Sequence, residues 1–277
     1  MDWDYLRTLY DVEGQVVVLT GGGGILCGTM ARGLARLGAK VVALDIRPDA
    51  AQAVADEIVA QGGQALAIHG DVLSKESLEQ AAKRVLDTFG RIDALISGAG
   101  GNKPMATTTP EMSFFDLPED AFRAVLDLNF IGTVLSAQVF GRYMAQQGRG
   151  VIINIASINA IRPLTKIPAY SAGKAAVVNL TAWLAVHISQ HYSPNIRVNA
   201  IAPGFFLTNQ NRFLLLDEKS GHATPRGQTI IDHTPMGRYG KPEELVSTVV
   251  WLLSAGARFV HGTTIIVDGG FTAFSGV

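Results

Sequence analysis

The chain has 277 residues, 48% of them hydrophobic, and a formal net charge of −1. That balance, with a pI near 6.6, excludes a basic nucleic-acid-binding stripe and an acidic tail. A single cysteine, Cys27, excludes an internal disulfide framework and fits a reducing compartment.

The first residues, MDWDYLRTLYDVEG, are acidic and aromatic, which is not the pattern of a signal peptide. QVVVLTGG (15–22) then reads as a buried strand ending in glycine, followed by a helix over 26–38. KVVALD (40–45) is a strand, 49–61 a helix, 64–71 a strand and 74–89 a helix. IDALISGAG (92–100) is a strand, 118–147 is mostly helix, and GVIINIAS (150–157) is a strand. A long helix over 168–192 leads to the strand NIRVNAIAPG (195–204). A helix over 242–255 and the strand TTIIVDGG (263–270) close the series. Unbroken Val/Ile/Ala runs indicate strands covered on both faces. Their alternation with helices predicts an α/β fold, doubly wound around a mostly parallel, seven-stranded sheet. No linker divides residues 1–277, so a single domain is expected. The long connection at about 205–241 is read as a substrate loop. No apolar run approaches ~18 residues, so no membrane span is expected and the protein reads as cytoplasmic. His187 and His191 are four apart but lack a metalloprotease glutamate between them, so no metal site is expected.

Three chemical features stand on this framework. The first is Gly21, Gly22, Gly23 and Gly24, between the first strand and its helix. Glycines allow close ligand approach, and a helix start offers unpaired N–H groups to a pyrophosphate. The second is Asp45, 24 residues after Gly21, at the end of the second strand. A carboxylate there accepts ribose hydroxyls and repels a 2′-phosphate, which places NAD ahead of NADP; Arg47 would soften that preference. Asp71 and Val72, ending the third strand, stand where an adenine edge would lie.

The third is Ser157, Tyr170 and Lys174. Tyr and Lys four apart share a helix face. A free phenol titrates near ~10, and an adjacent ammonium pulls that value down. A nearby hydroxyl can steady a carbonyl oxygen while the phenol moves a proton.

In order along the chain stand TGGGG (20–24), Asp45, DV (71–72), SGAG (97–100), Asn129, Ser157, YSAGK (170–174), RVNAIAPG (197–204), Thr208 and DGG (268–270). With these pieces the chain resembles the short-chain dehydrogenase/reductase family over essentially its whole length. The resemblance implies a Rossmann domain, a nicotinamide cofactor and a homotetramer or homodimer. It implies that Tyr170 is the general acid/base and that Lys174 lowers its pKa and binds the nicotinamide ribose. Ser157 would bond the reacting oxygen, and Asn129 would help Lys174 hold a relay water. The implied cofactor shell is Gly21 to Gly24, Ile25, Leu26, Asp45, Ile46, Asp71, Val72, Gly98, Ala99, Gly100, Pro203, Gly204, Phe206 and Thr208, with Tyr170 and Lys174. The chain departs from the family pattern TGxxxGIG, carrying Ile25 and Cys27 where glycines are usual.

TGGGGILC, GGNKP (100–104) and the stretches 205–215 and 217–227 resemble the D-mannonate oxidoreductase (fructuronate reductase) branch. A sugar-acid substrate needs a cation for its carboxylate and bonding partners for its hydroxyls. Asn102, Lys103, Asn159, Arg162, Lys166, Asn209, Asn211 and Arg212 lie in loops near the expected site edge. Lys103 and Arg212 are the preferred carboxylate partners; Asn102, Asn159 and Ser157 complete the expected substrate contacts. The alternatives are a gluconate or polyol dehydrogenase, a 3-oxoacyl thioester reductase, or a dinucleotide-binding protein without turnover.

Overall fold

The computed structural model describes residues 2–208, 212–217 and 220–276, without the side chains of Phe213 and Leu214. The strands are β1 Val16–Thr20, β2 Lys40–Asp45, β3 Gln64–His69, β4 Ala94–Ser97, β5 Gly150–Ile155, β6 Ile196–Pro203 and β7 Thr264–Val267. They form one seven-stranded sheet in the order β3-β2-β1-β4-β5-β6-β7. Every neighbouring pair is parallel.

The helices are α1 Trp3–Tyr10, α2 Ile25–Arg36, α3 Pro48–Ala60, α4 Lys75–Phe89, α5 Glu119–Leu126, α6 Gly132–Gln147, α7 Pro168–His191, α8 Arg212–Leu215, α9 Pro225–Asp232 and α10 Val246–Leu253. Alternate strand residues feed two cores. Val17 and Leu19 pack with Met30 and Leu34 of α2, Val54 of α3 and Val249 of α10. Val16 and Val18 pack with Leu78 of α4, Phe140 of α6 and Ile188 of α7. Both sheet faces are therefore covered, which is why the strands read as continuous apolar runs. The chain order reverses between β1 and β4, and a crevice opens at the carboxyl ends of such neighbours.

Three elements differ from the sequence reading. The N-terminal segment forms α1, capped by the Asp2 carboxylate on the Tyr5 N–H at 2.9 Å. It is only eight residues long and buries no side chain, its Trp3, Leu6 and Tyr10 remaining exposed. The helical stretch over 118–147 is interrupted by a π turn at Asp127–Ile131. By length and composition Glu119–Gln147 would pass for a membrane span. Here, however, Val125, Val139, Phe140 and Met144 are buried in the fold. The 205–241 connection carries α8 and α9 and a small cluster around Leu215, Ile230 and Tyr239. Thr224 caps α9 by accepting the Gly227 N–H, with Pro225 at the first turn.

Candidate active site

The turn from β1 to α2 is built by glycine for two reasons. Gly21 has φ +67°, a left-handed backbone. Gly22 and Gly23 leave no room for a side chain. An added Cβ would stand 2.7 Å from Ala43 Cα at Gly22 and 2.6 Å from Ala50 Cβ at Gly23. Gly24 begins α2 without a side-chain cap, so the first-turn N–H groups at Ile25 and Leu26 face the crevice end of the helix. This is a cradle of the kind a pyrophosphate occupies.

Asp45 closes the cradle from β2. Its Oδ2 accepts the Gly23 N–H at 3.0 Å, and its Oδ1 accepts the Arg47 N–H at 2.9 Å. The Arg47 Nε stands 3.5 Å from the same carboxylate. The carboxylate thus braces the turn, and a cation softens it. Ile46 beside it is exposed. Thr20 Oγ1 accepts the N–H groups of Gly98 at 3.1 Å and Ala99 at 3.2 Å, pinning the end of β4 to β1. Asp71 is turned on itself, its Oδ1 accepting the Leu73 N–H at 2.9 Å. Val72 is buried and would meet any Cβ on Gly132 at 2.8 Å.

Cys27 accounts for the departure in the glycine pattern. Its buried Sγ lies where a side chain of Gly98 would stand. The two positions are complementary: the thiol fills the space that glycine leaves. Burial pushes the thiol up to about 12, so it stays protonated and packs as a small apolar group.

Ser157, the α7 residues Tyr170 and Lys174, and Asn129 come together at the crevice from three separate parts of the chain. Ser157, just past β5, is 7% exposed. Its Oγ accepts the Asn159 N–H at 3.2 Å and hydrogen-bonds the Tyr170 phenol. Lys174, one turn along α7, is 3% exposed, and its Nζ donates to the Ile155 carbonyl at 2.7 Å. Asn129 lies fully buried in the π turn. It donates to the carbonyls of Gly101 at 2.7 Å and Val125 at 2.8 Å and accepts the Gly101 N–H at 3.2 Å. Gly100 separates it from the lysine: an added Cβ there would stand 2.7 Å from Asn129 Oδ1 and 3.1 Å from Lys174 Nζ.

The electrostatics correct one expectation. The sequence predicts a phenol drawn down by Lys174. In the structure burial raises the Tyr170 pKa, and the Ser157 hydrogen bond is what opposes it. Lys174 Nζ stands 5.7 Å from the Tyr170 ring centroid and directs one of its three N–H groups to the Ile155 carbonyl. Burial also lowers Lys174 to about 8. A protonated phenol beside a hydroxyl is equipped to donate a proton to an oxygen anion forming between them.

The predicted substrate residues divide. Asn159 is buried and spent on structure: its Oδ1 accepts the Leu164 N–H at 3.0 Å and the Ser171 hydroxyl at 3.4 Å. It is therefore a brace under Ser157 rather than an open contact. Asn102 donates to Thr107 Oγ1 at 2.7 Å, and Arg162 donates to the Phe274 carbonyl at 2.8 Å. Lys103, Lys166 and Arg212 are exposed. Asn209 and Asn211 lie outside the described residues. Pro203 ends β6 beside Val267, and Gly204 fits against Asp268, where an added Cβ would stand 2.6 Å from Asp268 Cβ. Phe206 is buried against Gly240, and Thr208 accepts the Arg212 N–H at 2.9 Å. Sequence reasoning missed Thr20 and Gly101. Threonine ending a strand is a weak signal, and Gly101 matters only because Asn129 reaches it from another element.

A family profile described as Enoyl-(Acyl carrier protein) reductase matches residues 26–272. The chain is 48% identical to the uncharacterized oxidoreductase UxuB of Bacillus subtilis (strain 168), covering 96% of this chain and 98% of that one. A crystal structure from Haemophilus influenzae, provisionally named a D-mannonate oxidoreductase and holding NAD, superposes with a TM-score of 0.91. It is 42% identical over 98% of this chain and 100% of that one. A gluconate 5-dehydrogenase from Burkholderia cenocepacia J2315, in complex with NADP and tartrate, superposes with a TM-score of 0.86 at 30% identity, over 97% and 99% of the two chains. With the seven-stranded parallel sheet, these matches show that the chain belongs to the short-chain dehydrogenase/reductase family, oxidoreductases of alcohols and ketones.

Proposed function

We propose that this protein reduces the ketone of a sugar acid with NADH, with D-fructuronate and D-mannonate as the substrate pair. The reading rests on one observation above the rest: Ser157, Tyr170 and Lys174 meet at the crevice that the glycine cradle opens onto. Gly21 to Gly24 and Asp45 would hold the dinucleotide, which supplies the hydride. Ser157 and Tyr170 bind the ketone oxygen, and Tyr170 gives it a proton as negative charge develops. Lys174 stabilises the phenolate left behind and meets the ribose. Asn129 fixes Gly101 and with it the floor of the site. The buried Asp45 supports NAD, while Arg47 leaves some use of NADP. The protein is a cytoplasmic single-domain enzyme assembling as a homotetramer or homodimer. Resemblance to gluconate 5-dehydrogenases supports a second reading, in which a ketogluconate is the substrate.

The deciding experiment follows absorbance at 340 nm with NADH or NADPH and D-fructuronate, 5-ketogluconate or an oxoacyl thioester. NADH oxidation selective for D-fructuronate is the expected result. Turnover confined to another ketone discards the substrate reading and keeps the Tyr170 chemistry.

Reduction needs Tyr170 protonated and Lys174 charged. Burial raises the phenol, so the lysine, held at about 8, is the first to lose its proton. The kcat/KM for reduction should be level through neutral pH and fall as pH rises through about 8. Lys174→Arg, whose guanidinium does not deprotonate, should remove that fall in whatever activity remains. A profile that falls only below neutrality would contradict the assignment.

A further inference from the structure

Among the described residues, Lys166 is the one non-glycine with positive φ, at +78°. A Cβ makes that conformation costly, and lysine lacks the short polar side chain with which Asn or Asp offsets the cost. Such backbones persist where their surroundings enforce them, and they gather at ligand sites. The corner at Lys166 is enforced from two sides. Its carbonyl accepts the Thr108 N–H at 2.9 Å, tying the segment before α7 to the segment after β4. Two residues earlier, the Leu164 N–H is bonded to Asn159, which itself holds Ser157. Two residues later, Pro168 opens α7, the helix carrying Tyr170 and Lys174. The corner thus sits between the loops that flank Ser157 and Tyr170.

Its side chain is exposed and enters none of the ion pairs among the described residues. Neighbouring polar groups are otherwise engaged, Arg162 with the Phe274 carbonyl and Asn102 with Thr107. On backbone grounds alone glycine would suit this corner better, so the lysine needs a reason outside the turn. We propose that Lys166 pairs with the substrate carboxylate, its strained backbone carrying the ammonium to the edge of the crevice. The assignment rests on the sugar-acid reading above and replaces Lys103 and Arg212 as the preferred cation.

The test uses the full-length enzyme with NADH and compares Lys166→Gly and Lys166→Met with the unaltered protein. The substrates are D-fructuronate, 5-ketogluconate and the neutral ketose D-fructose. KM for the keto acids should rise about tenfold more than KM for the ketose, the loss of one charge-assisted contact. Lys166→Gly should at the same time melt no lower than the unaltered protein, because glycine relieves the corner. Keto-acid KM unchanged in both variants overturns the proposal, as does an equal rise for the ketose. So does a carboxylate-selective loss in Lys103→Met or Arg212→Met that the Lys166 variants lack. If the unaltered enzyme reduces neither keto acid, the sugar-acid reading falls by itself. Lys166 is then judged by D-mannonate inhibition of whichever ketone is turned over. Inhibition weakened in Lys166→Gly supports it, and equal or absent inhibition overturns it.

Discussion

Tyr170→Phe should lower kcat for ketone reduction by about 10²–10⁴-fold, the range for losing a positioned general acid. The substitution removes one oxygen and keeps the ring. That ring packs with Ala106, Ala121, Val125 and Ala169, so folding and the shape of the site should survive. The lost oxygen is the one bonded to Ser157 and raised by burial, the group placed to protonate the product alkoxide. The glycine cradle and Asp45 are separate from it, so NADH affinity, read by quenching of protein fluorescence, should change by no more than a few-fold. Turnover within a few-fold of the unaltered enzyme would sink the assignment. A parallel loss of NADH binding would mean that the phenol holds the cofactor or the fold and not the proton alone.

Gly98→Ala should be a disruptive substitution at the cofactor end. The new Cβ would enter the space filled by Cys27 Sγ and stand 3.0 Å from the Thr20 carbonyl. The Thr20 backbone cannot retreat, because Thr20 Oγ1 holds the N–H groups of Gly98 and Ala99, and the Cys27 thiol is buried. Overpacking of this kind costs about 1–3 kcal/mol, and backbone on one side places this case near the top. In a chain of this size that corresponds to a fall in Tm of roughly 5 °C. Adding Cys27→Gly removes the thiol, and the double variant should melt above Gly98→Ala alone although Cys27→Gly by itself destabilises. That non-additivity is the signature of two side chains competing for one space. Strictly additive Tm changes would refute the complementarity.

Much of this is legible in the sequence. The seven strands announce themselves as apolar runs because both faces of the sheet are covered. The glycine turn, Asp45 at the end of β2 and the Tyr170–Lys174 pair could be read for a related reason. Each lies within one or two consecutive elements, where spacing translates directly into position. The short α1 went unread because its eight residues pack no side chain into the core, leaving Trp3, Leu6 and Tyr10 exposed. The capped turn of α9 was hidden inside a connection read only as long and polar.

By itself, the sequence determined the α/β class and the alternation of elements, and it singled out the glycine turn and the Ser157, Tyr170 and Lys174 set proposed to move the proton. These follow from local periodicity and spacing, which the backbone obeys wherever it lies. Tertiary structure alone decided how those groups behave. It placed the Tyr170 pKa above rather than below its ordinary value, since burial depends on elements far apart in the chain. It fitted Cys27 to Gly98, turned Asn159 into a brace and locked Lys166 into a left-handed corner through Thr108. Desolvation and close contact are properties of the assembled fold, and no run of neighbouring residues carries them.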